Sequence, residues 1–116
     1  MDYTVRKLSA KHAVFSLSGR FDAAVVPELK TALKSTVANG LTMLALDMNG
    51  VSFIDSSGLS ALVSGFKAAR EQGGMLVLAN VGDQIRVALE LTRLNQIFTI
   101  FDDLESAVSY LAKYEG

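Results

Sequence analysis

The chain has 116 residues, 50% apolar and 20% charged, with a net charge of -1 and no cysteine. That length and composition fit one packed domain, residues 1–116, and are at odds with disorder. Interleaved charges exclude the basic stripe of a nucleic-acid binder, and the missing cysteines exclude disulfides and thiolate zinc sites. The opening Met1-Asp2-Tyr3-Thr4 lacks a basic-then-apolar signal pattern, and no apolar run approaches the ~18 residues of a membrane span. A complete small chain, soluble and cytoplasmic, is expected.

Tyr3 to Leu8 alternates loosely and reads as an edge strand. A turn at Ala10-Lys11-His12 leads to a second strand, Ala13 to Ser18, which ends at Gly19; the two are expected to form an antiparallel hairpin. Gly19 to Ala24 is expected as a loop. Val26, Leu29, Leu33 and Val37 then recur at helical spacing. Pro27 is tolerated only in a first turn, which sets the helix start near Val26 and leaves Asp22 just outside. Asn39-Gly40 ends the helix, with Gly40 suited to a left-handed cap.

Leu41 to Leu46, apart from Thr42, is an apolar run of the kind found in strands buried on both faces. Asp47-Met48-Asn49-Gly50 is expected to break it before Val51 to Ile54. The strongest helix runs from Ser56 to Gln72, with Leu59, Leu62, Val63, Phe66 and Ala69 as its apolar stripe. Ser60, Ser64, Lys67 and Glu71 lie opposite, and Ala61, Gly65 and Ala68 form a small-residue flank. Glycine inside a helix costs roughly 1 kcal/mol relative to alanine, so Gly65 points to close packing, internal or with a partner. Gly73-Gly74 stops the helix.

Met75 to Ala79 is a further buried strand, followed by a loop at Asn80-Val81-Gly82. Asp83 is expected to cap a helix carrying Ile85, Ala88, Leu89 and Thr92. After a break at Arg93 to Gln96, Ile97 to Phe101 is a last strand, and Asp102 or Asp103 caps a final helix with Leu104, Ala107, Val108 and Leu111. The order β-β-α-β-α-β-α-β-α predicts an α/β layered fold: a largely parallel sheet, an antiparallel N-terminal edge strand and four helices. Functional loops in such sheets lie beyond the carboxyl ends of the strands. The loops at Gly19–Asp22 and Asp47–Ser57 are therefore expected at one edge.

Catalytic motifs are missing: no P-loop, no dinucleotide-binding glycine pattern and no nucleophile elbow. The one histidine, His12, lies in the hairpin turn, on the wrong element to act as a base for Ser57. Carboxylates are scattered, so neither metal nor cofactor is expected. A phosphoryl-accepting Asp47 would need an acidic pair near the first strand and a lysine after a later one; Asp22 stands alone and Ala79-Asn80-Val81 has no lysine. An enzyme is not expected.

Phe53-Ile54-Asp55-Ser56-Ser57-Gly58 joins a strand to the best helix. Two roles are open to it. An Asp or Ser oxygen caps a helix, worth ~1 kcal/mol, with Gly58 allowing close approach. Alternatively a serine is presented for modification, since phosphate sits well at the positive end of a helix. Phosphorylation of Ser57 would add about -1.5 to -2 charge beside Asp55 and Asp22.

Val51-Ser52-Phe53-Ile54-Asp55-Ser56-Ser57-Gly58-Leu59 resembles the signature of the STAS domain family, specifically its bacterial anti-sigma factor antagonists. Gly19-Arg20-Phe21-Asp22 resembles the family's Gly-x-Leu/Phe-Asp. Gly73-Gly74 before a β-rich run, and Leu94 to Phe98 before the last strand, fit in order, so the likeness spans nearly the whole chain. It departs at Thr92-Arg93-Leu94, where the family often has Ser-Gly-Leu and a glycine eases the helix end.

The resemblance implies a partner switch. The unphosphorylated protein binds an anti-sigma factor that is also a serine kinase, and a sigma factor is freed. The kinase phosphorylates Ser57, the phosphoprotein dissociates, and a separate phosphatase restores it. ATP belongs to the kinase. Asp22 and Asp55 flank the phosphosite, while Ser56 and Gly58 shape the turn. The partner-binding face comprises Asp22, Ala23, Ala24, Ser56, Ser57, Ser60 and Ser64, because 57, 60 and 64 share a helical face. No nucleic acid and no membrane are expected as partners, and self-association through the first strands is left open. The alternative is a STAS scaffold that senses a small ligand or nucleotide within a larger signalling or transport assembly.

Overall fold

The computed structural model describes residues 2–114. Among these, the strands are β1 (Asp2–Lys7), β2 (His12–Phe21), β3 (Met43–Ile54), β4 (Met75–Ala79) and β5 (Ile100–Phe101). The helices are α1 (Val26–Ala38), α2 (Ser56–Glu71), α3 (Asp83–Leu91) and α4 (Leu104–Lys113), with a 3-10 turn at Leu94–Gln96. One sheet holds the strands in chain order. β1 is antiparallel to β2, and each later pair is parallel. This is the α/β layered fold expected, with its antiparallel N-terminal edge and four helices.

Chain-order pairing dictates the layers. Every parallel crossover steps the same way across the sheet, and crossovers are right-handed, so α1, α2 and α3 must share one face. Strand alternation supplies that face with Phe15, Leu17, Leu44, Leu46, Leu76 and Leu78, which pack with Leu33, Leu62 and Leu89 of the helices. The alternate residues Val14, Met43, Ala45, Val77 and Ala79 meet Ala107 and Leu111 of α4 on the other side. Burial on both faces is why β4 and the first half of β3 are almost wholly apolar.

Two strands run further than expected. β2 does not end at Gly19 but continues to Phe21, so Gly19, Arg20 and Phe21 belong to the sheet. β3 passes straight through Asp47-Met48-Asn49-Gly50. The pairing of β2 with β3 shifts register between Ser16 and Ser18 and again between Gly19 and Arg20. Gly19 absorbs this with φ +89, a bulge conformation glycine adopts without strain. At Gly50, a Cβ would stand 2.7 Å from Ser18 Cβ. Asp47 is satisfied within the strand: its Oδ1 accepts from the Asn49 N–H at 3.1 Å and from Asn80 Nδ2 at 3.1 Å. Turn-forming residues here mark a kink in a continuing ladder.

The inward face of α2 also differs. Its buried residues are Gly58, Ala61, Leu62, Gly65 and Ala69, whereas Leu59, Val63 and Phe66 are only partly buried. Small residues bring α2 close to α1 and the sheet: a Cβ at Gly65 would lie 2.8 Å from Leu33 Cδ1 and 3.1 Å from Leu76 Cδ1. The packing that Gly65 serves is internal.

Helix ends follow local chemistry. Gly40 takes φ +96 after α1, and Gly73 takes φ +76 after α2. Asp103 caps α4, accepting from the Ser106 N–H at 2.7 Å. That bond, mainly from the Ser106 backbone, holds the exposed carboxyl below its ordinary pKa, so the cap fades only as acid protonates it. Asp83 does not cap α3: Gly82 holds the cap position without a side-chain bond, and Asp83 lies in the first turn. β5 is shorter than the expected Ile97–Phe101 because Ile97 closes the 3-10 turn and Phe98 is buried in the core. His12 opens β2 and is half-buried, with Nδ1 2.6 Å from Ser9 Oγ and Nε2 donating to the Leu111 carbonyl at 3.2 Å.

Arg93 occupies the left-handed region, φ 61, at the end of α3. Left-handed backbone costs a non-glycine residue roughly 1–2 kcal/mol, partly offset by glycine's freer unfolded state. Arg93→Gly is therefore expected to raise the unfolding free energy by about 0.5–1 kcal/mol in urea titration. A lower midpoint would contradict this account of the turn.

Candidate functional site

β2 and β3 finish together, with Phe21 paired to Ile54. The next residues, Asp22 and Asp55, therefore leave the same sheet edge side by side. The Asp55 N–H donates to the Phe21 carbonyl at 3.2 Å, which ties the two chain exits.

Each acid organises its own turn. Asp22 Oδ1 accepts from the Ala24 N–H at 3.1 Å, and its carbonyl accepts from Val25 and Val26, both at 3.1 Å. This Asx turn starts α1 without a side-chain cap at Val25. Asp22 Oδ2 also lies 3.7 Å from Arg20 Nε, and the Arg20 guanidinium stacks 4.0 Å over the Phe53 ring.

Asp55 is the N-cap of α2. Its backbone is extended, its Oδ1 accepts from the Gly58 N–H at 3.0 Å, and its carbonyl accepts from the Leu59 N–H at 3.0 Å. Capping thus falls to Asp55, and both serines are released from it. The Ser56 and Ser57 N–H groups hold the first two helical positions and have no partner among the described residues. Gly58 serves a close approach: a Cβ there would lie 2.6 Å from both the Phe21 carbonyl oxygen and Ile54 Cγ1. α2 begins directly on the paired strand ends.

Ala23, Val26, Pro27 and Lys30 on the α1 side, and Ser56, Ser57 and Ser60 on α2, line an open hollow of roughly 310 Å³. Ser57 is half-buried in it; Ser56 and Ser60 are exposed. Asp22 and Ala24 belong to the adjoining turn, and Ser64, half-buried, lies beyond the lining. Lys30 was not among the site residues read from sequence. The signal for it was present, since Lys30 follows Val26 and Pro27 by four and three residues and so shares their side of α1.

The Ser57 hydroxyl has no hydrogen-bond partner among the described residues, and His12 is engaged with Ser9 and Leu111 at the start of β2. Nothing here activates Ser57 as a nucleophile, but its hydroxyl is open to a reagent brought from outside. Among the described residues no three His, Asp or Glu side chains group to hold a metal ion, and no helix is long and apolar enough to cross a membrane.

The family model for the STAS domain matches residues 4–107. The chain belongs to the STAS domain family. An anti-sigma-B factor antagonist from Listeria monocytogenes is 30% identical over 96 residues, which cover 83% of this chain and 84% of that protein. The solved structure of an anti-sigma factor antagonist from Mycobacterium paratuberculosis is 25% identical with a TM-score of 0.86, covering 97% of this chain and 94% of that one. The anti-sigma factor antagonist SpoIIAA of Bacillus shares the fold at 16% identity in its unphosphorylated form, with a TM-score of 0.85 and coverage of 99% and 100%. Its phosphorylated form gives 0.75 at 17% identity, with coverage of 94% and 98%.

In this STAS chain, Gly58→Ala is expected to destabilise by about 2 kcal/mol, because the Phe21 carbonyl must move to admit a methyl group. Asp55→Ala, which removes only the cap, is expected to cost about 1 kcal/mol. Urea unfolding checks both; an unchanged midpoint for Gly58→Ala would refute the close approach.

Proposed function

We propose that this STAS chain is an anti-sigma factor antagonist, acting as one cytoplasmic domain, that is switched by phosphorylation of Ser57. Unphosphorylated, it binds an anti-sigma factor that is also a serine kinase, and a sigma factor is released. The observation that carries this proposal is the division of labour at the start of α2. Asp55 does the capping, which leaves the Ser57 hydroxyl unpartnered at an open hollow. The relatives' names support the antagonist role.

The chain is the substrate in this chemistry. Ser57 Oγ takes the γ-phosphoryl group of ATP held by the kinase, its proton passes to a base on the kinase, and ADP leaves. A phosphatase hydrolyses the ester with water and returns the serine and inorganic phosphate. The product phosphate would lie near the free Ser56 and Ser57 N–H groups at the positive end of α2, where a helix tolerates an anion. The fold therefore has no reason to change. The surface does change: about -1.5 to -2 charge is added between Asp22 and Asp55. A partner matched to the neutral serine across Asp22, Ala23, Ala24, Ser56, Ser57, Ser60 and Ser64 would be repelled.

Incubation with the kinase and ATP is expected to place a single phosphate on Ser57 by mass spectrometry, and Ser57→Ala should abolish it. Undiminished uptake by Ser57→Ala would sink the proposal. Ser57→Asp is expected to keep the native circular dichroism and weaken partner binding at least about tenfold by like-charge repulsion. Ser60→Arg probes the same face by bulk, and unaltered binding would remove it from the interface.

A further inference from the structure

We propose that Lys30 is the intramolecular counter-ion of the phosphoryl group on Ser57; this rests on the phosphosite proposed above. Packing places the two together. α1 and α2 both start at the carboxyl edge of parallel strands and pack side by side at Leu33 and Gly65, where the missing Cβ lets them close. Towards the helix starts, Lys30 lies about one turn before Leu33, and Ser60 and Ser57 lie about one and two turns before Gly65; all three line the hollow.

Among the charged groups around this hollow, Lys30 alone is uncommitted. Asp22 is bonded to the Ala24 N–H and paired with Arg20, and Asp55 is bonded to the Gly58 N–H. Lys30 has no ion-pair partner among the described residues and is half-buried, whereas Lys34, one turn on, is exposed and outside the lining. While Ser57 is a neutral hydroxyl, this ammonium faces no anion in the hollow. A phosphoryl group there gains Lys30 from the α1 side and the free N–H groups of Ser56 and Ser57 from α2. An ammonium on a flexible stem suits a phosphate as a point charge. Its effect is to favour the dianion, so that the added charge is close to its full value at neutral pH.

The test installs phosphoserine at position 57 during translation, so it does not depend on any kinase, and follows the phosphorus NMR shift with pH. Lys30→Met and Lys30→Gln are each expected to raise the second pKa of the phosphoserine by about 0.5 unit relative to the unsubstituted phosphoprotein. Lys30→Arg should keep the original midpoint, and Lys34→Met should leave it unmoved. Amide NMR spectra establish that each variant is folded. A midpoint unmoved in both neutral Lys30 variants, or moved equally by Lys34→Met, overturns the proposal. A kinase that leaves Ser57 unmodified sinks the phosphosite and leaves this titration intact, so the two failures are told apart.

Discussion

The seating of α2 on the paired ends of β2 and β3 is the constraint from which the rest follows. Phe21 and Ile54 are partners in the ladder, and Gly58 lies against both with no room for a methyl group. The same pairing makes Asp22 and Asp55 leave the sheet at one place, and the close seat of α2 sets the floor of the hollow between α1 and α2. Gly65 does the same work further along by letting Leu33 and Leu76 close on the helix. Two glycines in α2, each unfavourable for a helix alone, are offset by the contacts they permit.

Rigid seating bears directly on the proposed switch. Phosphate on Ser57 would arrive at a helix start whose cap is already made by Asp55, so no native hydrogen bond has to break. The added charge would act outward, on a partner, with Lys30, which has no ion-pair partner among the described residues, lining the inner side of the hollow. On this account the device is electrostatic and local. The fold would act as a stage for it, and both proposed catalytic steps would belong to other proteins.

Much of this was legible in the sequence. The element order, the parallel sheet with its antiparallel edge, and the helix starts at Val26 and Ser56 follow from hydrophobic periodicity and punctuation. The misreadings have a common cause. Gly19, and Asp47 to Gly50, look like strand ends because they are turn residues, yet a neighbouring strand keeps pairing through them, and pairing is invisible to local pattern. The face of α2 is legible only in part, for the same reason. Leu62 and Ala69 of its apolar stripe are buried, Leu59, Val63 and Phe66 are only partly so, and the small residues Gly58, Ala61 and Gly65 are buried as well. Lys30 lies outside the apolar periodicity of α1, and a lysine gains meaning there only from what lies across the groove.

Modification at Ser57 is expected to alter surface charge and to leave the core as it was. Amide hydrogen exchange on the Ser57-phosphorylated and unmodified proteins tests it most directly. Changes in protection are expected to be confined to residues around the hollow, from Asp22 to Lys30 and from Asp55 to Ser60, with β2, β3 and β4 protected as before. Loss of protection spreading into Leu76 to Ala79 of β4, or into α4, would show that the switch works by loosening the fold, and would contradict it.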